Sequence, residues 1–306
     1  MTRPPLPIRR ALLAAVLVAA AACGRAEGGG RRERVVAVSK QINEYLYAIG
    51  AQDLLVGRDL TSLYPAEIRR LPSVGYHRAL SAEGIVSLQP TLLLTDGNVG
   101  PDAVLDQVRK VGVPVETMKP GSTMDSAQLL LARLGARFHR ERAADSVLAA
   151  WRNALASAVR ESRPVAGEPR PRVLVMHFGQ LVNDYLAVNR GGAADQLIAW
   201  AGGVNAVDSV GGMTRLTPEL IAKAAPDVII ATDVGFDRLG SAERFAALPG
   251  VSLTPAGKAG RIHRIDESEI MYFGPRTPAA LVELSRALHP SRGPERGPPA
   301  TTAARP

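Results

Sequence analysis

A tyrosine and an arginine stand two residues apart in Gly75-Tyr76-His77-Arg78-Ala79-Leu80-Ser81-Ala82-Glu83-Gly84. A guanidinium close to a phenol favours the phenolate, and an ionised tyrosine is one of the few protein ligands that ferric haem accepts. The string follows Leu71-Pro72-Ser73-Val74, which reads as a turn and short strand, and it runs into a helix start capped by Ser81. Loops between strand and helix are where α/β proteins present ligand-binding groups. Plainer accounts stand beside this one. Tyr76 also fits a half-buried packing ring, and Arg78 fits a surface ion-pair partner of Asp59.

The elements that must carry these residues follow an α/β pattern. Val35-Val36-Ala37-Val38 reads as a short strand, followed by a helical spacing at Ile42, Leu46 and Ile49 that stops at Gly50. Leu92-Leu93-Leu94-Thr95 reads as a buried strand, 101–112 as a helix, and Val113-Pro114-Val115-Glu116-Thr117 as the way into another strand. Strands alternating with helices imply a parallel sheet. Over 126–162 the spacing of Leu130, Leu134, Phe138, Leu148, Trp151, Leu155 and Val159 is helical, with Gly135 as its one weak point. A helix of roughly 35 residues would be about 50 Å long at 1.5 Å per residue, suited to a rigid spine joining two lobes. Prolines 164, 169 and 171 then break the chain before the strand Arg172-Val173-Leu174-Val175-Met176.

The second half echoes the first. Glu83 precedes Pro90 as Glu219 precedes Pro226, each pair is followed by an apolar strand, and a hydroxyl residue lies just upstream (Ser81, Thr217). One repeat across more than a hundred residues implies a pseudo-symmetric pair of lobes rather than a solenoid. The expected organisation is a signal peptide over 1–22, a flexible tether over 23–34, and an N-terminal α/β lobe over 35–124. A spine helix over 125–163, a C-terminal α/β lobe over 172–290 and a disordered tail over 291–306 complete it. The fold class is α/β, two pseudo-symmetric lobes with mainly parallel sheets.

The ends explain much of the charge. Arg9-Arg10 precedes an unbroken apolar run over 11–22, too short to span a bilayer and built like a secretory signal. The formal charge is +8, but the first 22 residues hold three arginines and the last 16 a net of two positive charges, leaving +3 for the rest. That is too little to argue for nucleic acid. The apolar run ends at the chain's single cysteine, Cys23. It resembles a bacterial lipoprotein signal, in which that cysteine is lipidated, although Ala20 stands where a bulkier aliphatic is usual. Plain secretion with a leftover thiol is the other possibility.

An exported, tethered, bilobal α/β chain with a helical spine resembles the class III periplasmic substrate-binding proteins of ABC importers, which carry haem, cobalamin or ferric siderophores. The string 73–84, together with Phe273-Gly274-Pro275-Arg276-Thr277-Pro278 and Ala201-Gly202-Gly203-Val204-Asn205-Ala206, is similar to the haem-binding branch. The resemblance covers about 34–290. It implies Tyr76 as axial iron ligand, Arg78 as the support of its phenolate, and haem as the transported ligand. It also implies Glu83 and Glu219 as the carboxylates that dock on a permease dimer driven by an ATPase. Charge pairs of that kind can register two lobes on a dimeric partner, whereas a glutamate near a helix start can equally serve the helix dipole.

His77 departs from that pattern, where an apolar residue is frequent. It could be a second ligand, but neighbours in an extended loop point opposite ways, so a solvated side chain is expected. His177 ends the first strand of the second half, where such folds bind ligands, and fits a cleft residue or a satisfied histidine near the hinge. Tyr185, Met213, Arg215, Met271, Tyr272 and Arg276 are further second-lobe candidates, the arginines as holders of haem propionates.

An enzyme is not expected: the chain has no Gly-x-Ser-x-Gly, His-Glu-x-x-His or Gly-x-x-x-x-Gly-Lys-Ser/Thr string. The closer rivals are a ferric siderophore or cobalamin binder of the same class, though aromatics make up only 4 % of the chain. A sensor or surface lipoprotein without a transport role is the other. The expected molecule is a monomeric, extracytoplasmic or periplasmic receptor held to the membrane by its lipid anchor. Small lobe motions are expected of it, because a helical spine resists bending.

Overall fold

The computed structural model describes residues 32–164, 167–178 and 185–290; the signal segment, Cys23, most of the tether and the tail lie outside the described residues. In the N-terminal lobe, β1 (Val35–Val38) is buried along its whole length and leads into α1 (Lys40–Ala48), whose N-cap Ser39 accepts from the Ile42 N–H. β2 (Leu55–Arg58) follows, then a small hairpin of β3 (Gly75–Tyr76) and β4 (Ala79–Leu80). Next come α2 (Ala82–Val86), β5 (Leu92–Thr95), α3 (Asp102–Lys110) and β6 (Val115–Thr117). The sheet runs β2–β1–β5–β6 and is parallel throughout. Its central strands are apolar runs covered on both faces, which is the setting parallel sheets require.

The expected single spine helix is two helices, α4 (Met124–Arg137) and α5 (Glu141–Glu161). The chain turns back at 138–140, where His139 has φ +54° and the Arg140 N–H donates to the Gly135 carbonyl at 2.7 Å. Gly135 was the weak point of the pattern, and it serves the crossing instead: a Cβ there would lie 2.5 Å from that of Ala144. No proline or glycine marks the break itself, so the apolar spacing ran through it. The 21 residues of α5 still reach about 30 Å and pack on both lobes.

The C-terminal lobe begins with β7 (Arg172–Phe178), β8 (Tyr185–Val188), α6 (Ala193–Trp200), β9 (Val204–Asn205), β10 (Met213–Arg215), α7 (Pro218–Ala224) and β11 (Val228–Thr232). It continues through α8 (Asp233–Leu239), α9 (Ala242–Ala246), α10 (Pro255–Ala259), β12 (Ile262–Ile265), α11 (Glu267–Met271) and α12 (Thr277–Leu288). Its sheet runs β10–β8–β7–β11–β12; β7, β11 and β12 are parallel, while β8 and β10 are antiparallel. The echo in the sequence is an echo in structure. α2 and α7 are capped by Ser81 and Thr217, each helix is followed by a residue at positive φ (Gln89 +48°, Ala225 +43°) immediately before proline, and each leads into a central buried strand. A residue before proline is pushed out of the right-handed helical region, so the same pre-proline turn follows both helices.

The lobes are not independent. One core cluster runs from Val35, Leu94 and Leu130 through Trp151 to Val173, Ile230 and Leu284, and separate outer clusters fill each lobe's far face. Opening the lobes widely would expose this shared core, which gives a physical ground for small movements.

Candidate functional site

Tyr76 sits on a hairpin rather than in an open loop. Gly75, at φ +99°, turns the chain into it, and the pairs Gly75–Leu80 and Tyr76–Ala79 leave His77-Arg78 as a two-residue turn. Neighbouring loops pin the hairpin: the Leu60 N–H donates to the Gly75 carbonyl at 2.7 Å, and the Gly100 N–H to the His77 carbonyl at 2.9 Å. The turn overrides strand alternation, so the expectation that His77 points away from Tyr76 is corrected. Their ring centroids are 4.2 Å apart, tilted by 48°, and both residues are half-buried. Burial pulls the His77 imidazole below its usual 6.5, against the opposing pull of Asp59 and Asp96. A neutral ring therefore lies against the phenol near pH 7.

Arg78 does not pair with Asp59. Its Nε and Nη2 donate to Asn98 Oδ1 at 3.0 and 2.7 Å. Asp59 is fully buried and is satisfied by the Thr61 N–H at 2.9 Å and the hydroxyls of Thr61 and Ser62. An amide partner orients the guanidinium without neutralising it, so its charge remains to act on the hairpin.

The C-terminal lobe faces this hairpin with groups of its own. Lys40, at the start of α1, bonds Glu267, at the start of α11, at 2.7 Å, each side chain only 15 % exposed. The Glu267 N–H donates to Asp233 Oδ1 at 3.2 Å. His177 lies beside this bridge, with Nδ1 3.4 Å from Thr232 Oγ1. Its pKa is pulled down by burial, opposed by Glu267 and helped by Lys40, and Lys40 also acts on His77. Tyr272 is pushed well above the usual range of a phenol, first by burial and then by Glu267, Asp96, Asp59 and Tyr76. It is therefore a protonated donor within the field of the Tyr76 hairpin. Two phenols and two imidazoles from opposite lobes thus share neighbouring charges: Lys40 acts on both histidines, and Asp59 and Asp96 act on His77 and Tyr272 alike. Among the described residues, no group of three or more His, Cys, Asp or Glu is arranged to hold a metal ion.

His177 gives a pH signature. Its folded pKa is depressed, so the folded state binds fewer protons, and the contribution it makes to stability is present above the unfolded value of 6.5 and lost as pH falls below it. The melting midpoint should therefore drop between pH 7 and pH 5, and His177→Gln should flatten that drop in thermal scans by circular dichroism. An unchanged slope would contradict a buried neutral His177.

The remaining sequence candidates fall in different places. Glu83 and Glu219 are exposed in the first turns of α2 and α7, one on each lobe. Ser81 and Thr217 accept from Gly84 and Leu220 N–H groups at 3.2 and 3.3 Å, and the Glu219 carboxyl is held low by its bond to Thr217. Arg215 is exposed on the edge strand β10. Arg276 is engaged by Glu44 (Nε to Oε2, 3.1 Å) and Glu269 (Nη1 to Oε1, 2.7 Å), a setting quite different from an arginine waiting for a propionate. Lys40 and Asp96 carry no signal in the sequence, and Asp59 enters there only as a possible partner of Arg78; they are single polar residues next to apolar strands, and only their spatial convergence marks them.

Residues 35–269 match the sequence profile of a family described as periplasmic binding protein. The chain belongs to that family. Among solved structures of the periplasmic binding proteins, the apo form of the periplasmic heme-binding protein RhuT from Roseiflexus sp. RS-1 is 32 % identical with a TM-score of 0.77, covering 85 % of this chain and 99 % of its own. An uncharacterized ABC transporter substrate-binding lipoprotein, YvrC of Bacillus subtilis (strain 168), is 23 % identical over 273 residues, 84 % of this chain and 80 % of YvrC. A vitamin B12-binding protein of Yersinia pestis (strain Pestoides F) is 34 % identical over 83 residues, 27 % of this chain and 30 % of that protein. These names describe binding proteins, and none names a reaction.

Proposed function

We propose that this periplasmic binding protein is the extracytoplasmic receptor of an ABC haem importer, capturing ferric haem between its lobes and handing it to a permease dimer. The observation that carries this is the half-buried Tyr76 hairpin, whose charge field reaches Tyr272 of the opposite lobe, in a chain that matches a heme-binding protein over 99 % of that protein's length. Tyr76 supplies an anionic oxygen to ferric iron, a ligand that makes reduction harder and suits a carrier. Arg78, oriented by Asn98, lowers the cost of the phenolate. Tyr272 stays protonated and can donate a hydrogen bond across the cleft. Glu83 and Glu219 register the lobes on the permease, and Cys23 carries the lipid, as the name of the Bacillus relative supports.

Cobalamin is the second reading, favoured by the match to the vitamin B12-binding protein. That match spans only 83 residues, and the chain has few rings with which to wall a corrin. Parallel titrations with haemin, cyanocobalamin and a ferric siderophore, followed by tryptophan quenching and by the Soret band, test the assignment. Saturable haemin binding with no response to the other two is expected; saturation by cobalamin alone would replace the proposal.

A further inference from the structure

We infer, resting on haem as the ligand, that Arg276 is a positioning residue: it clamps the lobes together and holds the loop beside the Tyr76 hairpin, and it makes no contact with haem propionates. Its guanidinium belongs to the C-terminal lobe, yet its bonds cross to α1, where Glu44 receives Nε at 3.1 Å and is also bonded by Nη2. Glu269 takes Nη1 at 2.7 Å, and Asp266 lies 3.5 Å from Nη2. The Arg276 and Glu44 side chains are only 16 % and 11 % exposed. Drawing the guanidinium away to a ligand carboxylate would leave the largely enclosed Glu44 and the half-buried Glu269 without their cation, an arrangement costlier than an unused surface charge. Nor is there room for a propionate, since the void lined by Glu44, Tyr45, Glu269, Tyr272 and Arg276 is about 10 Å³, marginal even for one water.

The clamp extends toward the ligand site by a short physical path. One face of the guanidinium lies 3.9 Å above the Tyr64 ring, which is 45 % exposed. Tyr64 ends the loop whose Leu60 N–H holds the Gly75 carbonyl at 2.7 Å, at the base of Tyr76. A second stitch lies three residues before Arg276, where Gln41 Nε2 and the Tyr45 hydroxyl both donate to the Phe273 carbonyl, at 2.9 and 2.7 Å. The turn over 273–276 is thereby fixed to α1 at both ends. Losing Arg276 would free the cleft width and the loop together, with Tyr76 still present to bind iron.

The test compares release of haemin and of haemin dimethyl ester, which has no propionate carboxylates, to excess apomyoglobin. Wild type, Arg276→Met, Tyr64→Ala and Tyr64→Phe are the proteins to use. Arg276→Met and Tyr64→Ala should release haemin on the order of tenfold faster, by the same factor for the ester, with the tyrosinate absorption bands unmoved. Tyr64→Phe keeps the ring under the cation and should behave as wild type. An Arg276→Met effect that vanishes with the ester would make Arg276 a propionate contact and overturn the inference. So would wild-type release from Tyr64→Ala, a surface change that leaves the fold intact even if Arg276→Met does not fold. A wild-type protein with no saturable haemin binding is a distinct failure, which removes the ligand and the inference with it.

Discussion

Tyr76→Phe should abolish tight haemin binding while leaving the fold untouched. Phenylalanine keeps the ring that packs against His77 at 4.2 Å and removes only the oxygen. Loss of groups that merely support a metal ligand already costs about 10–100-fold in affinity, so loss of the ligand itself should reach the top of that range or exceed it. Arg78→Leu, which removes the supporting charge, should cost about tenfold by the same measure. Absorption titration with haemin reads both: the charge-transfer bands of a tyrosinate complex should vanish in the first variant and persist, at lower affinity, in the second. Full-affinity binding by Tyr76→Phe would move the iron to His77 or His177.

Reversing Glu83 and Glu219 together, to arginine, should eliminate haem uptake with no change in haemin affinity. Both carboxylates are exposed, on separate lobes and on helices capped by Ser81 and Thr217. Those hydroxyls satisfy the helix ends whether or not the glutamates remain, so little stability is at stake. A partner that presents arginines to them would instead meet like charges, which cost several kcal/mol at an interface. Haem-dependent growth, or uptake in vesicles holding permease and ATPase, measures the effect. Each single reversal should impair uptake and the pair should end it; intact uptake by the double variant would assign the two glutamates to their helices alone.

The parts of this molecule that were legible in sequence are those decided locally. Four consecutive apolar residues in β1 and three in β5 could only be buried strands, and Ser81 and Thr217 announced their helices. The Glu-to-Pro echo located corresponding units of both lobes because the same cap, helix and pre-proline turn are used twice. What escaped was decided by distance or by turn geometry. Lys40 meets Glu267 across 227 residues, and Arg276 meets Glu44 across 232, so no local spacing could pair them. Arg276 looked like a ligand-binding cation because nothing near it in the chain revealed Glu44. His139 breaks the spine through a left-handed conformation that its residue type permits but does not demand. His77 joins Tyr76 because a two-residue turn cancels the alternation of an extended chain.

Iron-edge anomalous diffraction from crystals grown with haemin tests the central claim most directly. A single strong peak within bonding distance of the Tyr76 oxygen, in the cleft between the lobes, is the predicted result. An iron peak bound to His177 or to no side chain of the hairpin would contradict Tyr76 as the residue that makes this chain a haem receptor.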